Sequence, residues 1–356
     1  MSEQVLLPPL YMPLPAAMHP EVDRISARSR QWISKYGLGS PEKIEANNIG
    51  EAACLTLPLT PEPITQIYCD VANFAVVLDD LALGGLGGGE GLLRYLPSYI
   101  CRVRYTCAVP GARLLDADNP IEAPWIDLAQ RLHAGSSSAL AMQFADALQV
   151  WMVAMLAEET GEVNDVNSYL GQRIGGVGNS AAEALLAIGA GLGPDQRMTP
   201  AFRALSDAAS ALTVIDNDLV SYGKETTEGK PASRNLIHLL QEQRGLDFQA
   251  ALDETVDIHD RMMGLFVRLR DQEYTAASPA MRQYLTGLGH IIRGSWDYYW
   301  RESTHRYQGA DRVMADGGFA DAPVGHGRLD EPAISWWWDQ LKNHTDVAEG
   351  EGGRDA

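Results

Sequence analysis

Residues 198–225, MTPAFRALSDAASALTVIDNDLVSYGKE, read as one long alanine-rich helix. Alanine has the highest intrinsic helix propensity, and the stretch contains no strand-like alternation. Working outward, the same character recurs. Residues 61–83 begin with two prolines and continue as the apolar helix ITQIYCDVANFAVVLDDLAL, followed by the glycine run GGLGGGEG at 84–91, a loop signal. Residues 119–160 carry two helical stretches, the second being SSALAMQFADALQVWMVAMLAEE. Residues 164–192 form another, interrupted near Gly175, Gly176 and Gly178, and residues 246–273 and 278–303 add two more. At the front, His19-Pro20 opens the helix EVDRISARSRQWISKYGL, closed by Gly37 and Gly39. The expectation is an all-α, single-domain bundle around a central cavity. It is flanked by an extended, proline-rich segment over 1–18 and a mostly flexible tail over 311–356, with the bundle occupying 19–310. In the tail only SWWWDQL at 335–341 stands out.

Composition narrows the function. Hydrophobic residues make up 46% of 356 and charged residues 21%, globular values that allow a large core. The net charge of -19 and pI near 4.7 argue against nucleic acid, whose affinity rests on Lys and Arg neutralising phosphates, and against an anionic membrane surface. Cys54, Cys69, Cys101 and Cys107 show no metal-type spacing and read as reduced thiols of a cytoplasmic protein. No signal peptide and no run of about 18 uninterrupted apolar residues is seen, so membrane insertion is not expected.

Two segments carry chemistry. Asn217, Ser221 and Glu225 stand at i, i+4 and i+8, and at roughly 100° per residue they share one helical face. An amide oxygen, a hydroxyl and a carboxylate are hard donors of the kind Mg²⁺ accepts, and three protein ligands leave positions open for phosphate oxygens and water. Lys224 adds a positive charge beside them. The same spacing also describes an ordinary solvated face; the apolar ALTVI before it places the start of the segment inside the bundle. Asp79 and Asp80 end an apolar helix, where two carboxylates are costly to bury without a cation and unfavourable at the negative end of the helix dipole. Adjacent residues point about 100° apart, so one of them, Asp79, is assigned to metal and Asp80 to orienting a neighbour.

Together with Arg306-Tyr307, these segments resemble the three signatures of bacterial class I terpene synthases, in the same order, over about residues 13–310. The opening His19-Pro20, Trp32 and Gly37-Leu38 are similar as well. The resemblance implies an α-fold in which two acidic motifs face each other and hold three Mg²⁺ ions with a diphosphate. It implies a metal role for Asp79, Asn217, Ser221 and Glu225. Arg173, 44 residues before Asn217 (217 − 173), takes the place of the family's diphosphate-sensing arginine. Arg306, Tyr307 and Lys224 would also meet the diphosphate, a role that suits the planar fork of arginine. An antiparallel homodimer is a family-level expectation. Two positions depart from the pattern. Leu81, Ala82 and Leu83 stand where a third acid is usual, leaving Asp79 with help from Asp80 or Glu90. Gly176 and Val177 stand where an acidic linker and a small effector are usual, leaving a backbone carbonyl to act.

Aromatic faces stabilise carbocations. Trp300, six residues before Arg306, is the first choice, with Trp296, Tyr298, Tyr299, Phe74 and Trp151 behind it; any of these also suits a bundle core. Val76, Val177 and Ala182 are read as small cavity walls, which favours geranylgeranyl diphosphate over farnesyl diphosphate. A chain-elongating synthase would need a second aspartate-rich motif in place of NDLVSYGKE. A protonation-initiated cyclase would need DxDD, which Ile215-Asp216-Asn217-Asp218 is not. A non-catalytic helical scaffold would release no diphosphate from any substrate.

Overall fold

The structure, a computed structural model, describes residues 3–84, 89–160, 163, 165–227, 235–301 and 312–342. The sequence expectation of an α-bundle holds. The chain runs through α1 (Val22–Lys35), α2 (Pro41–Asn47), α3 (Ile49–Thr56), α4 (Glu62–Gly84) and α5 (Gly89–Ala108). It continues with α6 (Ala123–Gly135), α7 (Ser138–Thr160), α8 (Val166–Arg173), α9 (Asn179–Ala190) and α10 (Pro200–Thr227). Then come α11 (Leu236–Arg244), α12 (Phe248–Ala276), α13 (Pro279–Tyr299) and a short α14 (Pro332–Ser335).

The long helix read first, α10, sits centrally and packs against α9, α12 and α13. Its residues from Ala208 to Asp216 are all buried, which is why this helix is apolar and small-sided on nearly every face. Several helices start on side-chain caps. The Ser40, Asp165, Asn235, Asp247 and Ser278 side chains each accept a hydrogen bond from a first-turn N–H. The sequence reading did not single out α2, α3, α5 or α11. Within α7, Ser138–Ala157 is a stretch long and apolar enough to cross a membrane by length and composition. Half of that stretch is buried within the bundle, where it packs on α5 and α9.

Close approach of α13 to α3 depends on Gly294. A methyl group there would collide with the Leu55 carbonyl and the Thr56 nitrogen. Because backbone cannot swing aside as a flexible side chain can, Gly294→Ala is expected to cost about 1–3 kcal/mol by overpacking. A thermal midpoint unchanged from wild type would show that the two helices part without penalty.

The chain ends differ from the sequence expectation. Within the described residues they form two short parallel pairs. Strand β1 (Glu3–Leu6) pairs with β3 (Arg312–Ala315), and β2 (Leu10–Tyr11) pairs with β4 (Phe319–Ala320). Residues 312–342, expected as flexible tail, are laid against the bundle. Leu329, Ile334 and Trp337 are buried, Trp337 fully so. Hydrophobic anchors widely spaced among Gly and Asp carry no period, so only SWWWDQL was visible in advance. The Asp260 carboxylate on α12, itself fully buried, accepts hydrogen bonds from the Tyr11 N–H at 2.9 Å and the Val324 N–H at 2.9 Å. One side chain thus fastens the segments around Tyr11 and Val324 to the same helix.

Candidate active site

The cavity is built from α4 and the helix break between α8 and α9. Tyr68, Ala72, Ala75 and Val76 recur at helical spacing along one face of α4 and line a cavity of about 180 Å³ with Trp151, Val177 and Ala181. Asp79 stands four residues past Ala75 and three past Val76, and so continues the register of that face. Both Asp79 and Asp80 belong to the last turns of α4. The side chains of Asp79, Asp80 and Glu90 lie outside the described residues, as do Arg306 and Tyr307 entirely.

Of the aromatic and wall residues named from the sequence, Val76, Val177 and Trp151 come together at this cavity. Ala181 lines it, whereas Ala182, the next residue, is fully buried in the core. Phe74, two residues from Val76, stands about 200° round the helix from it. The Phe74 ring meets Trp32 and Trp125 edge-on, at 6.5 and 5.2 Å between centroids, in the packing of α4 on α1 and α6. Trp296 is buried between Trp300 and Phe319, at 5.3 and 6.0 Å. Trp300 caps the C-terminus of α13 and is only partly buried. Tyr298 donates to the Asn47 carbonyl at 2.5 Å and packs on Tyr299.

Helix α8 ends at Arg173, and α9 starts again at Asn179. The turn between them is closed by the Gly176 N–H on the Arg173 carbonyl at 2.7 Å. It re-enters helix through Gly178, whose φ of +74° is in the left-handed region that side chains disfavour. The break therefore puts Val177 and Gly178 in the cavity wall, four and five residues after Arg173.

Arg173 is 7% exposed, and its charge is held by Asp218 at 3.4 Å. The other oxygen of the fully buried Asp218 accepts from the Tyr169 hydroxyl and from the Leu236 N–H at 2.8 Å. Burial pushes the Asp218 carboxyl up to about 7 against the pull of Arg173, while burial and the Asp218 charge drive the Tyr169 phenol well above its ordinary value. Asp218 was missed in the sequence. It lies between two named donors, and spacing on α10 alone does not reveal that α8 and α11 converge on its side of the helix.

On the neighbouring face lie Asn217, half-buried, Ser221, buried, and Glu225, half-buried. The Ser221 hydroxyl is buried and meets no hydrogen-bond partner among the described residues. Buried polar atoms are normally satisfied, so such an oxygen fits a site completed by a ligand. Among the described residues no group of three or more His, Cys, Asp and Glu gathers. Two of the three donors here are neutral oxygens, a set suited to a hard divalent cation. Asn217, Ser221 and Glu225 would hold it.

Residues 70–264, more than half of the chain, match the family described as terpene synthase family 2, C-terminal metal binding. The chain belongs to this family of terpene-cyclising enzymes, which act on isoprenyl diphosphates. It is 28% identical to phomopsene synthase of Allokutzneria albata, over 94% of this chain and 97% of that one. It is 26% identical to the diterpene cyclase DtcycA of a Streptomyces species, over 94% and 96%. The farnesyl-diphosphate-cyclising (+)-T-muurolol synthase of Streptomyces clavuligerus is also 26% identical, over 92% and 81%. Among solved structures, a variant of SVS_A2 from ancestral sequence reconstruction superposes with a TM-score of 0.79 at 24% identity, covering 94% of this chain and 98% of that one.

Proposed function

We propose that this chain uses three Mg²⁺ ions to ionise geranylgeranyl diphosphate and cyclises the carbocation to a diterpene. The observation that carries the metal reading is the triad of Asn217, Ser221 and Glu225, with the buried Ser221 oxygen left for a ligand. Bound Mg²⁺ would offset the negative charge that develops on the leaving diphosphate. Arg173 binds that diphosphate beside the triad, and Lys224, Arg306 and Tyr307 are assigned to it as well. Asp79 is assigned to the metal from the opposite side. The apolar wall of Ala72, Ala75, Val76 and Val177 keeps water from the cation, and Trp151 offers an aromatic face to it. The four thiols are all free, as suits a cytoplasmic enzyme.

Substrate length follows from wall volume. Alanine and valine on α4 and at the break leave more room than aromatic residues would, which favours the C20 chain over the C15 alternative. The test is incubation of the purified chain and Mg²⁺ with C10, C15, C20 and C25 diphosphates, followed by mass-spectral product analysis. Cyclic C20 products are expected, and turnover of the C15 substrate alone would sink the assignment of length. Release of diphosphate from none of them would favour a scaffold. Val76→Phe is expected to depress C20 turnover at least about tenfold more than C15 turnover. Sedimentation of the same preparation reads whether two copies associate, as expected for a homodimer.

A further inference from the structure

We propose that Asn235 is a positioning residue of the metal site, orienting Glu225 and locking the C-terminal half of α10 to α11. The proposal rests on the reading of Asn217, Ser221 and Glu225 as metal ligands.

Asn235 is fully buried and is the residue at which the chain returns to the site, immediately before α11. Its Oδ1 accepts from the Ile237 N–H at 3.1 Å, an ordinary helix cap. Its Nδ2 turns the other way and donates twice, to Glu225 Oε2 at 2.9 Å and to the Asp218 carbonyl at 2.9 Å. An amide nitrogen carries two hydrogens, so both bonds are made without sharing. The three contacts also fix which end of the amide is oxygen, since two acceptors face one end and a donor faces the other.

A cap requires only the acceptor. Serine, threonine or aspartate would serve α11 equally well. What the amide adds is a buried donor aimed at a half-exposed glutamate on the last turns of α10. Held through Oε2, Glu225 keeps Oε1 for a cation and does not have to be ordered when the cation arrives. Partners behind a ligating carboxylate commonly act this way.

The base is rigid. The Tyr222 hydroxyl on α10 donates to Gln241 Oε1 at 3.1 Å, and its ring stacks on His238 at 4.3 Å, tying α11 to the same half of α10. The second Nδ2 bond falls on Asp218, which also receives the Leu236 N–H and holds Arg173. Two consecutive residues, Asn235 and Leu236, thus touch both the metal carboxylate and the residue that anchors the diphosphate-binding arginine.

The experiment compares Asn235→Ser with wild type. Serine retains a capping oxygen but is too short to reach Glu225 and Asp218 together. Mg²⁺ is titrated calorimetrically into the full chain with inorganic diphosphate, and thermal midpoints are recorded without either. The expected result is a midpoint within a few degrees of wild type and Mg²⁺ affinity lower by about 10- to 100-fold. In turnover, the Mg²⁺ KM rises while kcat at saturating Mg²⁺ changes little. Asn235→Asp, of the same shape and a strong cap, removes the donor and faces Glu225 with like charge; it should weaken Mg²⁺ binding at least as much. It also stands in if the serine variant does not fold. Wild-type affinity in both variants, or in the aspartate variant alone if serine does not fold, overturns the role and leaves Asn235 a helix cap. A wild-type chain that takes up no Mg²⁺ with diphosphate overturns the metal-site reading beneath it, and the proposal with it.

Discussion

Ser221→Ala is expected to leave the protein at least as stable as wild type while lowering Mg²⁺-dependent diphosphate release by on the order of a hundred- to a thousandfold. The two halves of this expectation have one cause. The Ser221 hydroxyl is buried without a hydrogen-bond partner among the described residues, so the ligand-free fold bears its desolvation with no return. Alanine removes that burden, a gain of up to about 1 kcal/mol. On the proposed metal site the same oxygen is one of three protein donors, and its loss would weaken binding of the cation whose charge opposes the developing diphosphate. Asn217→Ala and Glu225→Ala should abolish release in the same assay, and chelation of the metal should do so in wild type. A Ser221→Ala enzyme with wild-type turnover would place the cation elsewhere.

Asp218→Ala is expected to fail for a different reason. It leaves the Tyr169 hydroxyl, the Leu236 N–H and the buried charge of Arg173 without the carboxylate that gathers them. Removing one member of a buried pair costs about 3–5 kcal/mol, which for a chain of this size lowers the thermal midpoint by roughly 10 °C. Activity should fall with it, since Arg173 loses the anchor that places it, and Arg173→Ala should lose activity directly.

Acidity distinguishes the two contributions. Burial raises the Asp218 carboxyl from 3.8 to about 7, so between those values the unfolded chain has released the proton while the fold retains it. Stability from this group is therefore present at low pH and declines as pH rises through that window. Asp218→Asn, which cannot titrate, should lose that slope. Urea denaturation of wild type and variant at pH 5 and pH 7.5 reads the difference. An identical slope in both would mean that Asp218 is ionised throughout.

The sequence disclosed the α-bundle because most of its long helices carry strong periodicity and the largest are apolar on several faces. It disclosed Asn217, Ser221 and Glu225 because their spacing is itself helical. Asp218 and Asn235 were not legible, since their significance comes from three helices meeting, and nothing local marks Asn235 beyond its place before a short helix. Phe74 and Trp296 looked like cavity residues only by proximity to the motifs. Their rings are placed by neighbours on α1, α6 and the C-terminal strand, far off in sequence. The packing of 312–342 was hidden because its anchors are single residues in a polar stretch.

The pairing of β1 with β3 joins segments far apart in sequence, Glu3 with Arg312 and Leu6 with Ala315. During synthesis the first strand leaves the ribosome long before its partner exists. The helical body has to assemble while that strand waits unpaired, and the seam closes late, since it spans 309 residues of chain (312 − 3). A nascent chain halted after α13 would carry a helical core with the β1 and β2 segments still unpaired, and proteolysis of such stalled products should cut around Leu7 and Leu10, which the finished protein buries.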